Sequence, residues 1–572
     1  MTTVAAARSF DERSAAPHSL FRRWLGLRRW LGRPLVAGAV VLIVYLALAA
    51  TLDPRGRIGG DTGGKVAVLR SVDTGDRPHF DVGYWAAADD PEGLLHPLYY
   101  TSRVDGRYQQ LTTLPMVWAA RPLYALGGLQ LARLLPMIGG LLCAFAARAL
   151  AARVHAAEPW HAFWLVALVS PVTIYSLDLW EHTLGLAGIG WGIVGVLDVV
   201  ERRRPALLGG VGAGLAFGVA ASMRTEALVY GAVATAAGAG VLALARRRWS
   251  GSLALGAGAL GGLAAALLAN QVLEQLVLGA PLRAGRAAGV ASASGRDLAD
   301  RVDDAWVTLA GLNYGDVTLD RALGSLMVVG LLATTWYASR SRHDGRARCA
   351  AGIVAIAFAA RLASGLSFIP GLVPVWPLAG AGAVLGVVHR ERRLLATIAI
   401  VAMPIVWITQ YAGMPGAQWG GRYLFATGLM LAAIATAGAS TTARSLRLGA
   451  VVLSAAVTAS GVLYLRERTH DAAAAMDPLV AIDADIMIST VPFLFREVGA
   501  VYSPERRWLT AVDREALGRA AALAGGRHAT TIAVVQEIDD AAPGLDGFEL
   551  EATQALPWVG RDLAVLHYRA SP

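Results

Sequence analysis

Residues 28–65 read RRWLGRPLVAGAVVLIVYLALAATLDPRGRIGGDTGGK. Pro34 to Leu52 is a continuous apolar run, and a membrane-crossing helix takes about 20 such residues. Arginines precede the run, and a glycine-rich polar segment holding Asp61 and Lys65 follows it. A basic end before an apolar stretch resembles a signal peptide, but no small-residue cleavage site follows Leu52, so the run is read as a retained first helix.

The same template, carried along the chain, marks about thirteen spans, near 34–52, 130–152, 159–177, 180–200, 206–222, 228–245, 251–275, 322–339, 349–369, 371–388, 394–412, 423–440 and 448–464. Composition agrees. Of 572 residues, 55% are hydrophobic and 16% charged, against about 25% charged in soluble globular chains. Mean hydropathy is +0.49. These values exclude a soluble multidomain protein, a disordered chain and a collagen-like repeat. Cys143 and Cys349 lie in or beside apolar stretches, form no metal-ligand spacing and are read as buried small hydrophobes.

Arginine in short loops sets the orientation. Arg8, Arg13, Arg22, Arg23, Arg28, Arg29 and Arg33 precede the first span. If that end is cytoplasmic, the alternate connections should be basic, and they hold Arg202–Arg204, Arg246–Arg248, Arg340–Arg348, Arg390–Arg393, Arg444 and Arg447. The expected protein is therefore a multi-pass plasma-membrane chain, N-terminus inside and C-terminus outside. Its parts are a basic cytoplasmic segment 1–33, a transmembrane module 34–464 with a large first outer loop 53–129, and an extracytoplasmic domain 465–572.

In the first outer loop, Thr62 to Val72 and Leu111 to Leu126 are patterned as amphipathic helices on the membrane surface. A second outer segment, Gly279 to Asp320, alternates Arg and Asp (Arg296, Asp297, Asp300, Arg301, Asp303, Asp304) as a solvated helix with i,i+4 pairs would. In the tail, Asp485–Thr490, Thr530–Val535 and Leu563–Tyr568 read as strands and Asp513–Ala524 as a helix, hence a small α/β domain. No catalytic motif stands out there, which leaves it a supporting or acceptor-binding role.

The unusual polar groups gather on the outer side, where they can build one cavity. Gly59-Gly60-Asp61-Thr62-Gly63-Gly64-Lys65 opens the first loop, which continues through Asp76-Arg77-Pro78-His79-Phe80-Asp81 to Asp89, Asp90, Glu92 and His96. Asp178, Glu181 and His182 join the third and fourth spans, Arg224-Thr225-Glu226 closes the fifth, and Gln418-Trp419-Gly420-Gly421-Arg422-Tyr423 precedes the twelfth. Asp61 is either a helix N-cap or a carboxylate that accepts a proton or holds a divalent cation such as Mg, Mn or Ca. Lys65, one helical turn on, suits a phosphate, and it is the only lysine among 51 basic residues. Arg224 and Glu226 are a local ion pair or a phosphate and sugar reader. Glu181-His182 can serve as an acid/base or metal pair. Arg361 lies inside an apolar span and must face protein or a water-filled cavity.

No phosphate-binding loop, His-Glu-x-x-His or Gly-x-Ser-x-Gly occurs, which argues against nucleotide hydrolases, zinc proteases and lipases. The basic residues cluster in loops without interleaved aromatics, which argues against nucleic acid as a partner.

Four stretches together resemble the GT-C superfamily of polytopic membrane glycosyltransferases: Gly59-Gly60-Asp61 after the first span, Pro171-Val172-Thr173-Ile174-Tyr175-Ser176, Arg224-Thr225-Glu226, and Trp419-Gly420-Gly421-Arg422-Tyr423-Leu424. In that family the acidic element is often two adjacent carboxylates; here Thr62 follows Asp61. The resemblance implies transfer of a sugar from a polyprenyl-phosphate donor, arriving through the bilayer, to a hydroxyl of a glycan, glycolipid or protein on the outer face, with inversion. It implies Asp61 as general base and Lys65, Arg361 and Arg422 as stabilisers of the departing phosphate. Two other classes compete: a flippase or transporter for lipid-linked intermediates, which would place its site near the midplane and carry internal repeats, and a non-catalytic scaffold whose tail binds wall polymer.

Overall fold

The computed structural model describes residues 33–56, 59–74, 80–281, 298–314, 316–340, 344–409, 419–438, 444–558 and 561–571. Arginines 8–29, Asp76 to His79, Arg296, Asp297 and Gln418 lie outside that set.

The chain is a helical membrane protein with a small α/β domain at its end. After α1 (Pro34–Ala49), the long first loop holds α2 (Gly60–Thr74), a β1–β2 hairpin (Thr101–Val104, Arg107–Gln110) and α3 (Leu114–Ala132), which is broken at Gly127 and Gly128. The bundle follows: α4 (Leu134–Arg153), α5 (Trp160–Leu168), α6 (Pro171–Tyr175), α7 (His182–Val200), α8 (Ala206–Met223), α9 (Glu226–Gly240, extended by a π turn to Ala245) and α10 (Trp249–Leu278). It continues with α11 (Leu298–Ala310), α12 (Val317–Ala338), α13 (Asp344–Ala363), α14 (Leu372–Val375), α15 (Pro377–Val388), α16 (Arg393–Thr409), α17 (Phe425–Gly438) and α18 (Arg444–Val480).

Among the described residues, eight helices are long and apolar enough to cross a membrane, and three more, Pro34–Ala49, Pro377–Val388 and Arg422–Ala437, are apolar but shorter. The single spans expected over 159–177 and 371–388 are each in two pieces. In the first, Ser170 is extended (φ −151°, ψ 170°), as the residue before a proline prefers, and its hydroxyl caps Val172. In the second, Pro377 restarts the helix after Trp376. The last span does not stop near 464, since α18 runs unbroken to Val480. The i,i+4 pairs expected of the Arg–Asp alternation before α12, Arg296 with Asp300 and Asp297 with Arg301, rest on side chains outside the described residues. Asp303 bonds Arg321 at 2.9 Å, Arg301 donates to the Ile408 carbonyl, and Asp304 is buried. Cys143 is buried as expected, whereas Cys349 is exposed.

The tail forms β3 (Ile486–Ser489), α19 (Leu494–Glu497), β4 (Trp508–Thr510), α20 (Arg514–Gly526), β5 (Thr531–Glu537), β6 (Phe548–Trp558) and β7 (Arg561–Ala570). Its sheet runs β4-β3-β5-β7-β6, parallel over β4, β3 and β5 and antiparallel beyond. β6 is an edge strand, with charged, mostly exposed residues and Pro557 near its end, as edges commonly carry.

This sheet does not stand alone. Val66 to Leu69 of α2, Tyr108, Met116 and Val117 share one apolar core with Ile488, Leu509, Ala520, Ile532 and Val534. Trp85 Nε1 donates to the Trp508 carbonyl and Thr510 N–H to the Leu95 carbonyl. The first loop and the tail are thus one folded body. α2, expected on the membrane surface, is instead buried within it, because Val66, Ala67, Val68 and Leu69 are all covered.

Candidate active site

The glycines of Gly59–Lys65 serve a close approach. A Cβ on Gly63 would lie 1.7 Å from the Arg496 carbonyl oxygen, and one on Gly499 would lie 1.9 Å from the Gly63 carbonyl oxygen. Only glycine lets α2 meet α19 at this distance. The contact brings Arg496 of the tail onto the first turn of α2, where its Nη2 is 3.4 Å from Asp61 Oδ1. From the other side Arg422 Nη1 is 3.4 Å from Asp61 Oδ2. The Asp61 side chain is 46% exposed, whereas Arg422 and Arg496 are 11% and 3% exposed. Partial burial pushes the Asp61 carboxyl up, but Arg496, Arg422 and Lys65 together outweigh it and hold the group well below the usual carboxylate range.

Arg422 reaches this position on a turn that needs its glycines. Gly420 and Gly421 both adopt left-handed backbone, φ 71° and 60°. The turn is fastened to the Pro171–Ser176 stretch: the Tyr175 hydroxyl accepts from Trp419 N–H at 3.0 Å and donates to the Trp419 carbonyl at 2.9 Å. Two of the sequence motifs therefore support one another.

A second group of charges adjoins the first. Lys65 Nζ lies 2.7 Å from Glu181 Oε2, with both side chains buried. Glu181 Oε1 is 3.8 Å from Arg224 Nη1, and Arg224 Nε donates to Glu226 Oε1 at 2.8 Å. Arg224 and Arg422 approach the ring of Tyr423 at 5.0 and 4.9 Å, and Arg422 also donates to the Tyr423 hydroxyl. Thr62 bonds Asp178 at 3.0 Å. His182 packs at 4.8 Å from both Tyr175 and Trp180.

Among these groups Arg224 Nη2, Arg422 Nε and both ring nitrogens of His182 are buried without a hydrogen-bond partner. A buried donor left unpaired costs about 1–3 kcal/mol, so these two donors, on guanidinium groups that both approach the Tyr423 ring, are free to bond an anion, although Glu226 Oε2 and, apart from its ion pair with Lys65, Glu181 Oε2 are also without a hydrogen-bond partner. Counting Lys65, Arg224, Arg422 and Arg496 against Asp61, Asp178, Glu181 and Glu226, the cluster is balanced in charge.

Asp61, Lys65, Glu181, His182, Arg224, Glu226 and Arg422 all meet here. Arg361 does not. Its guanidinium donates to the Leu312, Gly365 and Ser367 carbonyls and to the Ser364 and Ser367 hydroxyls. It braces the 311–312 turn, whose Gly311 carbonyl accepts from Gly371 N–H. Sequence reading also missed Arg496, which sits in an ordinary Phe-Leu-Phe-Arg-Glu stretch; the signal for it lay in the paired glycines of α2. Asp81, Asp90 and His96 hold the first loop together. Asp81 accepts from Gly83 and Tyr108 N–H, Asp90 from Leu94 and Leu95 N–H, and His96 bonds the Gly83 carbonyl.

The residues do not fit a divalent cation. Both Asp61 oxygens face guanidinium groups and Glu181 faces an ammonium and a guanidinium. No cluster of three or more His, Cys, Asp or Glu suited to a metal occurs among the described residues.

No protein-family model and no curated protein matches the chain. Solved structures do. The oligosaccharyltransferase of Archaeoglobus fulgidus, crystallised with Zn and sulfate, aligns with 86% of this chain and 67% of its own at 12% identity and TM-score 0.44. The apo form of that enzyme gives 89%, 70%, 13% and 0.45 in the same order. ArnT from Cupriavidus metallidurans in the apo state gives 95%, 98%, 15% and 0.42.

Proposed function

We propose that the chain is an inverting membrane glycosyltransferase, which moves a sugar from a polyprenyl-phosphate donor to a hydroxyl of a cell-envelope glycan, glycolipid or protein on the outer face of the plasma membrane. The observation that carries this reading is the pairing of a half-exposed carboxylate, Asp61, with buried guanidinium donors at Arg224 and Arg422 that lack partners.

In the reaction the acceptor hydroxyl gives its proton to Asp61 and its oxygen bonds the anomeric carbon. The bond from that carbon to the phosphate oxygen breaks with its electron pair. The phosphate leaves with one more negative charge than it brought, and Arg422, Arg224 and Lys65 meet that charge in a buried setting where it counts most. Arg422 and Arg496 are shared between Asp61 and any incoming phosphate. As the donor's phosphate draws on them, Asp61 loses its restraining cations and becomes a better base. No step runs through a metal.

Radiolabelled polyprenyl-phosphate sugars and the full-length protein in proteoliposomes test this. Asp61→Asn should lower transfer by about 10²–10⁴-fold, the range for a lost general base. Transfer at the wild-type rate would remove Asp61 from that role.

A further inference from the structure

An aromatic cluster beside Asp61 has no part in the chemistry above. Tyr100 follows Tyr99 in the turn leading into β1, and its backbone sits at φ 66°. A bulky residue occupies that region only when its surroundings compel it, and such strain gathers at functional sites. The turn is held on both sides: Leu111 N–H donates to the Tyr100 carbonyl at 2.8 Å and Gln110 Nε2 to the Tyr99 carbonyl at 2.7 Å. The result is a tyrosine left 42% exposed. Its ring lies 4.5 Å from that of Tyr99 and 5.8 Å from that of Phe493. The Arg496 guanidinium is 5.7 Å from the Tyr100 ring and also 3.4 Å from Asp61 Oδ1. A Cβ on Gly60, the neighbour of Asp61, would stand 3.5 Å from Phe493.

A sugar ring has an apolar C–H face and a rim of hydroxyls. A partly exposed aromatic ring with a guanidinium and a carboxylate nearby offers contacts to both parts of it. We propose that Tyr100, backed by Tyr99 and Phe493, is the platform on which the acceptor's sugar ring stacks, with a hydroxyl of that ring directed toward Asp61. The inference rests on the glycosyl-transfer reading of the same site and narrows the acceptor to a carbohydrate, as a glycan or glycolipid, over a protein hydroxyl.

The test is saturation-transfer NMR on the full-length protein in nanodiscs, with methyl β-D-glucopyranoside, methyl α-D-mannopyranoside and methyl α-D-arabinofuranoside as probes. At least one glycoside should receive saturation at its ring C–H protons. Tyr100→Ala should weaken that binding about three- to tenfold, the usual worth of an aromatic contact, and Tyr100→Phe should preserve it. Tyr100→Gly should lose binding while its thermal midpoint stays level or rises, because glycine relieves the left-handed backbone. No saturation of any probe by the wild type, or equal saturation in Tyr100→Ala, overturns the platform. Failure of the transfer reading shows only in the radiolabel assay, whereas failure of the platform shows in the saturation measured on the wild type and on Tyr100→Ala, so the two stay separate.

Discussion

The only lysine in the chain sits 2.7 Å from Glu181, and both side chains are almost fully covered. Removing one partner of a buried ion pair leaves an uncompensated charge and costs about 3–5 kcal/mol, whereas removing both costs far less. Lys65→Met should therefore lower the thermal midpoint sharply, and Lys65→Met with Glu181→Gln should recover most of it while donor KM stays raised. Full recovery of donor KM in the double variant would confine Lys65 to a structural role. Arg496 offers a second test. It is the largest of the cationic influences holding the Asp61 carboxyl down, so Arg496→Met should raise that carboxyl. A base with a higher pKa is protonated earlier as pH falls, so the acid limb of kcat/KM should move upward relative to the wild type. An unmoved limb would mean that Asp61 does not report on the rate. Most of this cluster was legible from the sequence because charged groups beside apolar spans are rare and each one is conspicuous. Arg496 and Arg361 show the limit. Arginine in a polar tail carries no such contrast, and a buried arginine inside a span is equally consistent with bracing carbonyls or binding phosphate until its partners are seen.

At the scale of elements, what matters is how α2 is pressed between the membrane body and the tail. Gly63 faces a backbone carbonyl, which cannot swing aside as a side chain would. Gly63→Ala should separate α2 from α19, raise hydrogen exchange in both and reduce transfer, because Arg496 would no longer reach Asp61. Gly518→Ala in α20, with nothing within 4 Å of the added Cβ, should be neutral or stabilise by up to about 1 kcal/mol. The first loop also has a pH dependence of definite sign. His96 is buried; its Nδ1 accepts from Leu98 N–H and its Nε2 faces the Gly83 carbonyl, an arrangement that suits the neutral ring. Burial lowers its pKa to about 4, against the modest upward pull of the Gly83 carbonyl and of Asp90 and Asp81. Between pH 6.5 and about 4 the unfolded chain takes up a proton that the folded loop refuses, so stability falls with pH across that window. His96→Gln should flatten the thermal midpoint over the same range. The strands β3, β5 and β7 and the helix α20 were readable from their patterning, while β4 was too short and β6 too charged and exposed to register. Nothing local could have told that α2 was destined for a core completed some 400 residues later.

At the scale of the whole molecule, that shared core constrains topology. Residues 66–132 and 486–568 pack together, so they lie on one side of the membrane, and the chain between them must cross an even number of times. Among the described residues, four apolar segments fail the length and composition test, 160–175, 344–363, 372–388 and 422–437, the first and third each made of two helices, and the clear spans from Leu134 to Val480 number eight. Both are even, so the parity holds whether the weak segments cross or not, provided that they do so in pairs. Charge supports the same division: residues 466–572 carry 10 Arg against 16 Asp and Glu, while the basic loops are concentrated in the membrane body. In a background with both native cysteines replaced, Glu92→Cys and Glu515→Cys, whose native side chains are 71% and 85% exposed, should both react with an impermeant maleimide in intact cells. Arg204→Cys, at a 63% exposed position, should react only after permeabilisation. Labelling of Glu92→Cys and Glu515→Cys from opposite sides would break the common core. Labelling of both only from within would reverse the whole chain, and with it the face on which the sugar is transferred.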